Sequence, residues 1–462
     1  GMDWVAWIGN LTWDPWLLAG FLGLGLYLSL RTGFFQVFGA GLWLRTTVGS
    51  LFRRRRREQG RGLSQIQALS TALASTIGTG SIAGVATAIF FGGPGAVFWM
   101  WASAFLGMMT GCVEKLLSVR YRRRAPDGGW QGGPMEYMEH GLHSRGTALL
   151  FSFFCILASL GGGDLVQSNS IAAALEAAFG WDRLAVGCVT ALLTGAVIVG
   201  GVGRIGRICE KLVPAMGLLF LAGGGVALAA HSDRILPALG AIAEGAFTPK
   251  AALGGAGGYG MAAAMRYGVA RGVFTNEAGL GSSAMAHGAA RTEEPAEEGM
   301  WGIFEVFIAT LTICTVTALV ILTSGAYVEE EALRALETGT VSREMLGSSL
   351  STAAFSATFG PWGGPFVAAS LLLFAFSSLL GWSYYGERGL GYLTGSGRWT
   401  PVYRAVFLAC VVAGSVGDVG SVWQVADICN GAMAAPNLLA LLLLSHQALD
   451  ELRRWSERQR RR

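Results

Sequence analysis

Apolar residues run along this chain in membrane-length segments separated by short polar or arginine-rich stretches. With about 20 apolar residues needed to cross a bilayer as a helix, the pattern predicts eleven spans. They lie near 14–30, 65–91, 94–117, 147–178, 182–203, 210–230, 259–288, 300–325, 363–385, 402–417 and 420–446. Two of them are interrupted. The second carries "TIGTGSIAG" at 76–84, and the seventh carries "GVFTNEAGLGSS" at 272–283, where glycines, hydroxyls and a carboxylate weaken a helix at its middle.

Composition places this pattern in a polytopic membrane protein. Hydrophobic residues make up 52% and charged residues 14%, with 15 Trp and 24 Phe, and mean hydropathy is +0.48. The chain reads as one transmembrane domain, all helical, with the lipid bilayer as its surroundings. The seven cysteines stand singly in apolar segments and read as small buried hydrophobes. The first apolar run lacks a basic leader and a small-residue cleavage site, so no cleaved signal is expected.

The charges set the expected sidedness. Arginine-rich stretches follow the first, third, fifth and last spans, as "LFRRRRREQGRG", "SVRYRRR", "RIGR" and "RRWSERQRRR". By the positive-inside rule these ends are cytoplasmic, which puts the N-terminus outside and the C-terminus inside. The segment 326–345 is acidic and 231–258 nearly free of basic residues, as external loops should be; 291–298, "RTEEPAEE", is acidic although assigned inside. The run "RRRRR" at 53–57 reads as a topology signal beside lipid headgroups rather than a nucleic-acid site. With the helix near 14–30 set aside, ten spans divide into repeats of about 65–230 and 259–446 with opposite orientation, and each opens with an interrupted span. Interruptions at corresponding positions of two inverted halves point to a secondary transporter's midplane site.

Non-helical backbone at membrane depth is tolerated where protein or a water-filled cavity surrounds it. A break near Gly78 and Gly80 exposes N–H groups around Thr79 to Ser81 that suit a carboxylate. It also frees carbonyls from Ala74 to Ile77 that suit Na+. The alternative is that these glycines mark close helix packing. Glu277 beside Asn276 reads either as a substrate contact or as a prop for unwound backbone. Ser377 and Ser378, in "LLLFAFSSLLGWSYYGE", could complete an oxygen cage or bond back to their own helix. Gln167 in "GGGDLVQSN" has an amide for a substrate or for an interhelical bond. Trp382 is a pocket wall or packing. The five histidines do not cluster as metal ligands, no nucleotide-binding context surrounds the glycine motifs, and no catalytic set of nucleophile, base and orienter assembles.

The stretches "GTGSIAGVATAIFFGGPGAVFWMW" (78–101), "GGPMEYM" (132–138), "EKLVPAM" (210–216), "GVARGVFTNEAGLGSSAMAHGAA" (268–290), "FAFSSLLGWSYYGE" (374–387) and "DICNGAMAAPNLLALLLLS" (427–445) resemble, in order, the alanine or glycine:cation symporter family. The resemblance implies the inverted-repeat fold of leucine-transporter-type symporters, one additional N-terminal helix, and Na+-coupled uptake of small neutral amino acids across a prokaryotic inner membrane. By motif, Thr79 and Gly80 would bind the substrate carboxylate through N–H groups. Gln167, Phe274 and Trp382 would shape the pocket, with Asn276 near the ammonium. Analogy with the wider fold adds Ala74, Ile77, Phe374, Ser377 and Ser378 around Na+. The chain departs from the usual pattern at Ser81, where Asn is common, at Ala309, where a carboxylate is common, and at Ser378, where Thr is common.

Three other readings bear on this. Coupling could be to protons, with Glu277 or Asp164 titrating, or the substrate could be another small amino acid, a D-amino acid included. A membrane sensor that binds an amino acid without moving it would carry a cytoplasmic signalling domain, and none is visible. A channel would need a filter motif. No obligatory protein partner is implied.

Overall fold

The computed structural model describes residues 7–9, 16–53, 60–248, 260–342, 345–418 and 420–462. Most of the arginine run 53–57, the start of the span near 14–30, the end of the loop 231–258, residue 259 and residues 343–344 of the acidic loop lie outside these. The helices used below are α1 (Leu18–Arg31), α2 (Gln65–Thr76), α3 (Ala83–Gly92), α4 (Gly95–Arg120), α5 (Arg145–Leu160), α6 (Val166–Phe179), α7 (Arg183–Ile198), α8 (Gly201–Ala230) and α9 (Ile235–Phe247). They continue as α10 (Met261–Asn276), α11 (Ala284–Gly288), α12 (Pro295–Val306), α13 (Thr315–Thr323), α14 (Glu329–Thr338), α15 (Gly347–Phe359), α16 (Gly363–Thr394), α17 (Thr400–Val416) and α18 (Gly420–Arg460). A two-stranded antiparallel hairpin, Arg123–Arg124 with Trp130–Gln131, follows α4.

Local chemistry starts these helices. Ser64 caps α2 through a capping box, accepting from the Gln67 N–H at 3.1 Å while its own N–H donates to Gln67 Oε1 at 3.2 Å. Asp182 caps α7 by accepting from the Ala185 N–H at 3.0 Å. Seven helical runs are long and apolar enough to cross a membrane, with α1, α3 and α7 as shorter apolar helices. Among the described residues the expected count of eleven is therefore not reached by length alone: two spans are interrupted, each made of two short helices, and α1 and α7 are single helices of 14 and 16 residues.

Boundaries shift as well. The chain turns at Val199–Gly200, and α8 runs from Gly201 through the arginines expected in a loop at 203–210. The last helix continues past 446 to Arg460. Burial sorts the helices into layers. In α8 and α17 only 28% of the most apolar window is buried, whereas in the run Gly347–Thr394 the share is 72%. Leu192 and Leu218 are exposed on the outer helices, as a lipid-facing surface requires. At the centre α4 packs against α10 and α12, and α16 against α2, α5 and α6.

The two ends differ in what packs there. At one, Arg120 pairs with Glu451 at 2.8 Å, Arg458 with Glu294 at 3.2 Å, and Leu63 bridges to Ala290. The acidic segment 291–298 thus lies among the arginines of the basic end. At the other end α14 covers Phe90 with Ala332 and Ala335, and α15 reaches α3 through the Ser351 hydroxyl on Ile82 O at 3.0 Å.

Candidate functional site

The first break falls between α2 and α3. The Ile77 N–H makes the last bond, to Leu73 O at 2.7 Å. Gly78 is then extended (φ −124°, ψ −156°), and Thr79–Ser81 form one tight turn before α3. Thr79, Gly80 and Ser81 are all buried. Of the N–H groups expected to face a carboxylate, Ser81's closes onto Gly78 O at 3.0 Å. Thr79's donates to Gln167 Oε1 at 3.1 Å, and the Gln167 amide nitrogen donates to Gly162 O at 3.2 Å. Gln167 therefore makes an interhelical bond at the donor that a carboxylate would use.

The second break, 277–283, lies between α10 and α11. Glu277 is left-handed (φ 55°), and Gly279 and Gly281 stand at φ 92° and 90°, a conformation that glycine adopts without strain and glutamate does not. Asn276 turns its Oδ1 onto the Ala278 N–H at 3.0 Å. Glu277 accepts from the Ser282 hydroxyl at 2.6 Å and the Ser75 hydroxyl at 3.4 Å, so it ties the second break to the first helix. It props this region through hydroxyls rather than through orphan N–H groups. The Gly279 N–H goes instead to Glu114 of α4, at 3.0 Å.

The two breaks share walls. A Cβ on Gly80 would lie 2.6 Å from Phe274, and one on Gly163 would overlap Trp382. Thus Thr79, Gly80, Gln167, Phe274 and Trp382 surround one buried region, with Asn276 at its second-break side. The Thr79 hydroxyl, Asn276 Nδ2 and Asn430 Oδ1 are buried without hydrogen-bond partners among the described residues. Buried polar atoms are normally paired, so these atoms are chemically suited to a polar guest.

The oxygens expected around a cation also converge. The Ser377 hydroxyl lies 3.1 Å from Ala74 O and 2.8 Å from Phe374 O; the Ser378 hydroxyl lies 2.9 Å from Ala74 O and 3.3 Å from Ser75 O. The serines do bond back within α16, but they also cross to the end of α2. Ile77 sits at the break, and none of the described hydrogen bonds joins its carbonyl to these serines. The set is all neutral oxygen, which suits a hard monovalent cation. Among the described residues no group of three or more His, Cys, Asp or Glu could hold a metal.

Sequence reasoning misses a charged cluster behind the second break. Lys115 pairs with Glu114 at 2.8 Å and lies 3.9 Å from Glu305, and His287 bridges Glu298 at 2.6 Å and Glu305 at 2.7 Å. All five side chains are fully buried. Glu114 also accepts from Asn437 Nδ2 at 3.0 Å. Removing one partner of a buried pair leaves the other charge uncompensated, at about 3–5 kcal/mol. Lys115→Met is expected to destabilise the fold by that order, read as a lowered Tm in detergent; an unchanged Tm would mean the cluster is already neutral.

Arg271, which the sequence places toward the outer half with an acidic partner as one option, finds such a partner. Arg271 pairs with Asp427 of α18, and its guanidinium lies over the rings of Phe274 at 5.6 Å and Trp423 at 5.5 Å. Arg271, Phe274 and Asn276 lie on α10, so the ion pair sits one turn from the aromatic wall.

The sodium:alanine symporter family matches residues 2–462. The sodium/alanine symporter AgcS of Methanococcus maripaludis is 41% identical over 97% of this chain and 96% of its own length. A Bacillus subtilis protein named "Probable sodium/glutamine symporter GlnT" is 36% identical over 98% of this chain and 90% of its own. Among solved structures, MhsT in complex with L-phenylalanine superposes with a TM-score of 0.57 at 14% identity, covering 85% of this chain and 93% of that one. That likeness carries the leucine-transporter-type fold alone. These relatives are transporters rather than enzymes, and with the two broken helices they make the chain a multi-pass amino-acid symporter: it belongs to the sodium:alanine symporter family.

Proposed function

We propose that this protein couples the inward movement of Na+ to the uptake of alanine or glycine by alternating access. The observation that carries this is the meeting of the two broken helices at aromatic walls, with Gly80 against Phe274, Gly163 against Trp382, and Thr79 and Asn276 each holding an unpartnered polar atom. A substrate carboxylate would take the Thr79 and Gly80 N–H groups, displacing Gln167 Oε1 from Thr79. The ammonium would meet carbonyls of the unwound segments near Asn276. Phe274 and Trp382 leave room for little beyond a methyl group, which favours alanine and glycine over longer side chains. Na+ would sit among Ala74, Ile77, Phe374, Ser377 and Ser378, trading the serine hydrogen bonds for coordination and ordering the first break.

The repeats 65–230 and 259–446 would then rock around this site, with α1 outside the symmetry. The basic end faces the cytoplasm and the N-terminus the outside of a prokaryotic plasma membrane. One charge crossing 100 mV supplies about 2.3 kcal/mol.

Arg271 and Asp427 would form the outer gate. Arg271→Ala should lower concentrative alanine uptake about tenfold by shifting the population toward outward-open forms, while exchange across vesicles preloaded with alanine persists. Equal loss of both activities would assign the pair to folding or binding.

The direct test is radiolabelled alanine uptake into proteoliposomes with an inward Na+ gradient, with choline replacing Na+, and with a pH gradient alone; unlabelled glycine and glutamine serve as competitors. Na+-dependent uptake blocked by glycine but not glutamine supports the reading. Uptake blocked by glutamine would move the substrate assignment toward the GlnT-like relatives, and uptake driven by pH alone would replace Na+ with the proton.

A further inference from the structure

Between α5 and α6 the helix widens into a π turn, Gly161–Leu165, containing Asp164. Such turns recur at functional positions, because they rotate side chains out of helical register. Asp164 is fully buried, and neither carboxylate oxygen has a hydrogen-bond partner among the described residues. None of the ion pairs among the described residues includes it. The turn packs against α17, which carries the titratable side chains of Tyr403 and Cys410. Tyr403 is already engaged with the Ser159 hydroxyl at 2.9 Å. From α16 the turn meets Trp382, at Gly163, and from α18 it meets Ala426, at Gly161 and Gly162.

An unpaired carboxylate anion at this depth costs far more than a neutral carboxyl, since nothing replaces its water. The group therefore needs a positive partner. None of the described hydrogen bonds sets a hydroxyl toward it as the hydroxyls of Ser377 and Ser378 are set toward Ala74 O, and a proton needs no such set.

We propose that Asp164 is a proton-binding site, loaded when the pocket closes and unloaded when it opens to water. The link to the pocket is short. Gly163 abuts Trp382, and one turn on, Gln167 holds the Thr79 N–H, so displacing Gln167 or Trp382 disturbs the turn that buries Asp164. Closing the pocket transfers one proton from solvent to the carboxylate, and opening returns it. This rests on the amino-acid site above, and it adds a proton to the cycle beside the Na+ assigned there.

Two measurements on the full-length protein test it. The first needs no substrate, because the substrate-free protein spends part of its time closed and holds the proton for that part: Tm of wild type and Asp164→Asn from pH 5 to 8, in choline chloride. An aspartate in the unfolded chain ionises near about 3.9. If the folded protein keeps the proton to higher pH, it binds one proton more than the unfolded chain. The wild type then loses stability relative to Asn as pH rises, by up to tenfold in the folding ratio per pH unit. The wild-type Tm should therefore fall relative to the variant across this range. A flat difference, or one that appears only when NaCl replaces choline chloride, overturns the proton at Asp164.

The second is calorimetric binding of alanine with saturating Na+ at pH 7, in phosphate and in Tris. Wild type should take up a fraction of a proton per alanine, up to one, and Asp164→Asn none. Alanine heat with no buffer dependence, or the same dependence in the variant, overturns the loading step. No alanine heat at all refutes the substrate reading, and the Tm comparison then decides Asp164 alone.

Discussion

Replacing Ser377 and Ser378 together by alanine is expected to raise the Na+ concentration for half-maximal uptake by about 10- to 100-fold, while uptake at saturating Na+ survives. The size follows from the loss of two neutral oxygens, each worth roughly 1 kcal/mol as a net polar interaction. The direction follows from geometry. Both hydroxyls lie against Ala74 O at the end of α2, so they connect α16 to the helix whose break opens the pocket. Ser383→Ala is the matched control, because that serine bonds only back to Leu380 O of its own helix, at 2.7 Å. A sodium titration of uptake checks both variants. If the double variant keeps its sodium affinity, or if Ser383→Ala loses as much, the cation does not sit at this crossing.

That crossing is only partly legible in the sequence. Adjacent serines in an apolar run and a glycine-interrupted helix are local features, and each violates the economy of a lipid-spanning helix in a way that a sequence displays. Their mutual approach is not local: Ser377 and Ala74 are 303 residues apart. The same limit explains Gln167, whose amide suits a substrate or an interhelical bond equally well until its partner, the Thr79 N–H 88 residues away, is placed.

The cluster of Glu114, Lys115, His287, Glu298 and Glu305 is hidden for a further reason. Each residue near a span end passes for an ordinary interfacial charge, and the histidines are scattered in sequence, so a metal-ligand criterion passes over them. Only packing of α4, α11 and α12 shows that the charges neutralise one another. Span ends differ from expectation at α8 and α18 because arginines do not by themselves end a helix. Long basic side chains can lie along the helix and reach water from within its last turns.

Gly80→Ala is the second large expected effect, and it separates two roles for that glycine. A Cβ there would stand 2.6 Å from the Phe274 ring, well inside contact distance, so either the ring moves or the backbone does. Phe274 has little freedom, with Trp423 5.5 Å away, centroid to centroid, and Arg271 over its face. Overpacking of this kind costs about 1–3 kcal/mol, which predicts alanine affinity lowered roughly 10- to 100-fold. Gly80→Leu should abolish binding. The informative variant is Gly80→Ala with Phe274→Leu. If the methyl group acts only by displacing the ring, the smaller side chain should restore much of the affinity, and the two changes will be strongly non-additive. If it occupies the space that the carboxylate needs beside the N–H groups, relief of the ring will restore nothing. Because the proposed site places the carboxylate on the backbone of Thr79 and Gly80, the expected result is incomplete rescue. Calorimetric alanine affinity, measured alongside Tm to confirm folding, tells the two apart, and full rescue would remove Gly80 from the carboxylate site while leaving it as the seat of the aromatic wall.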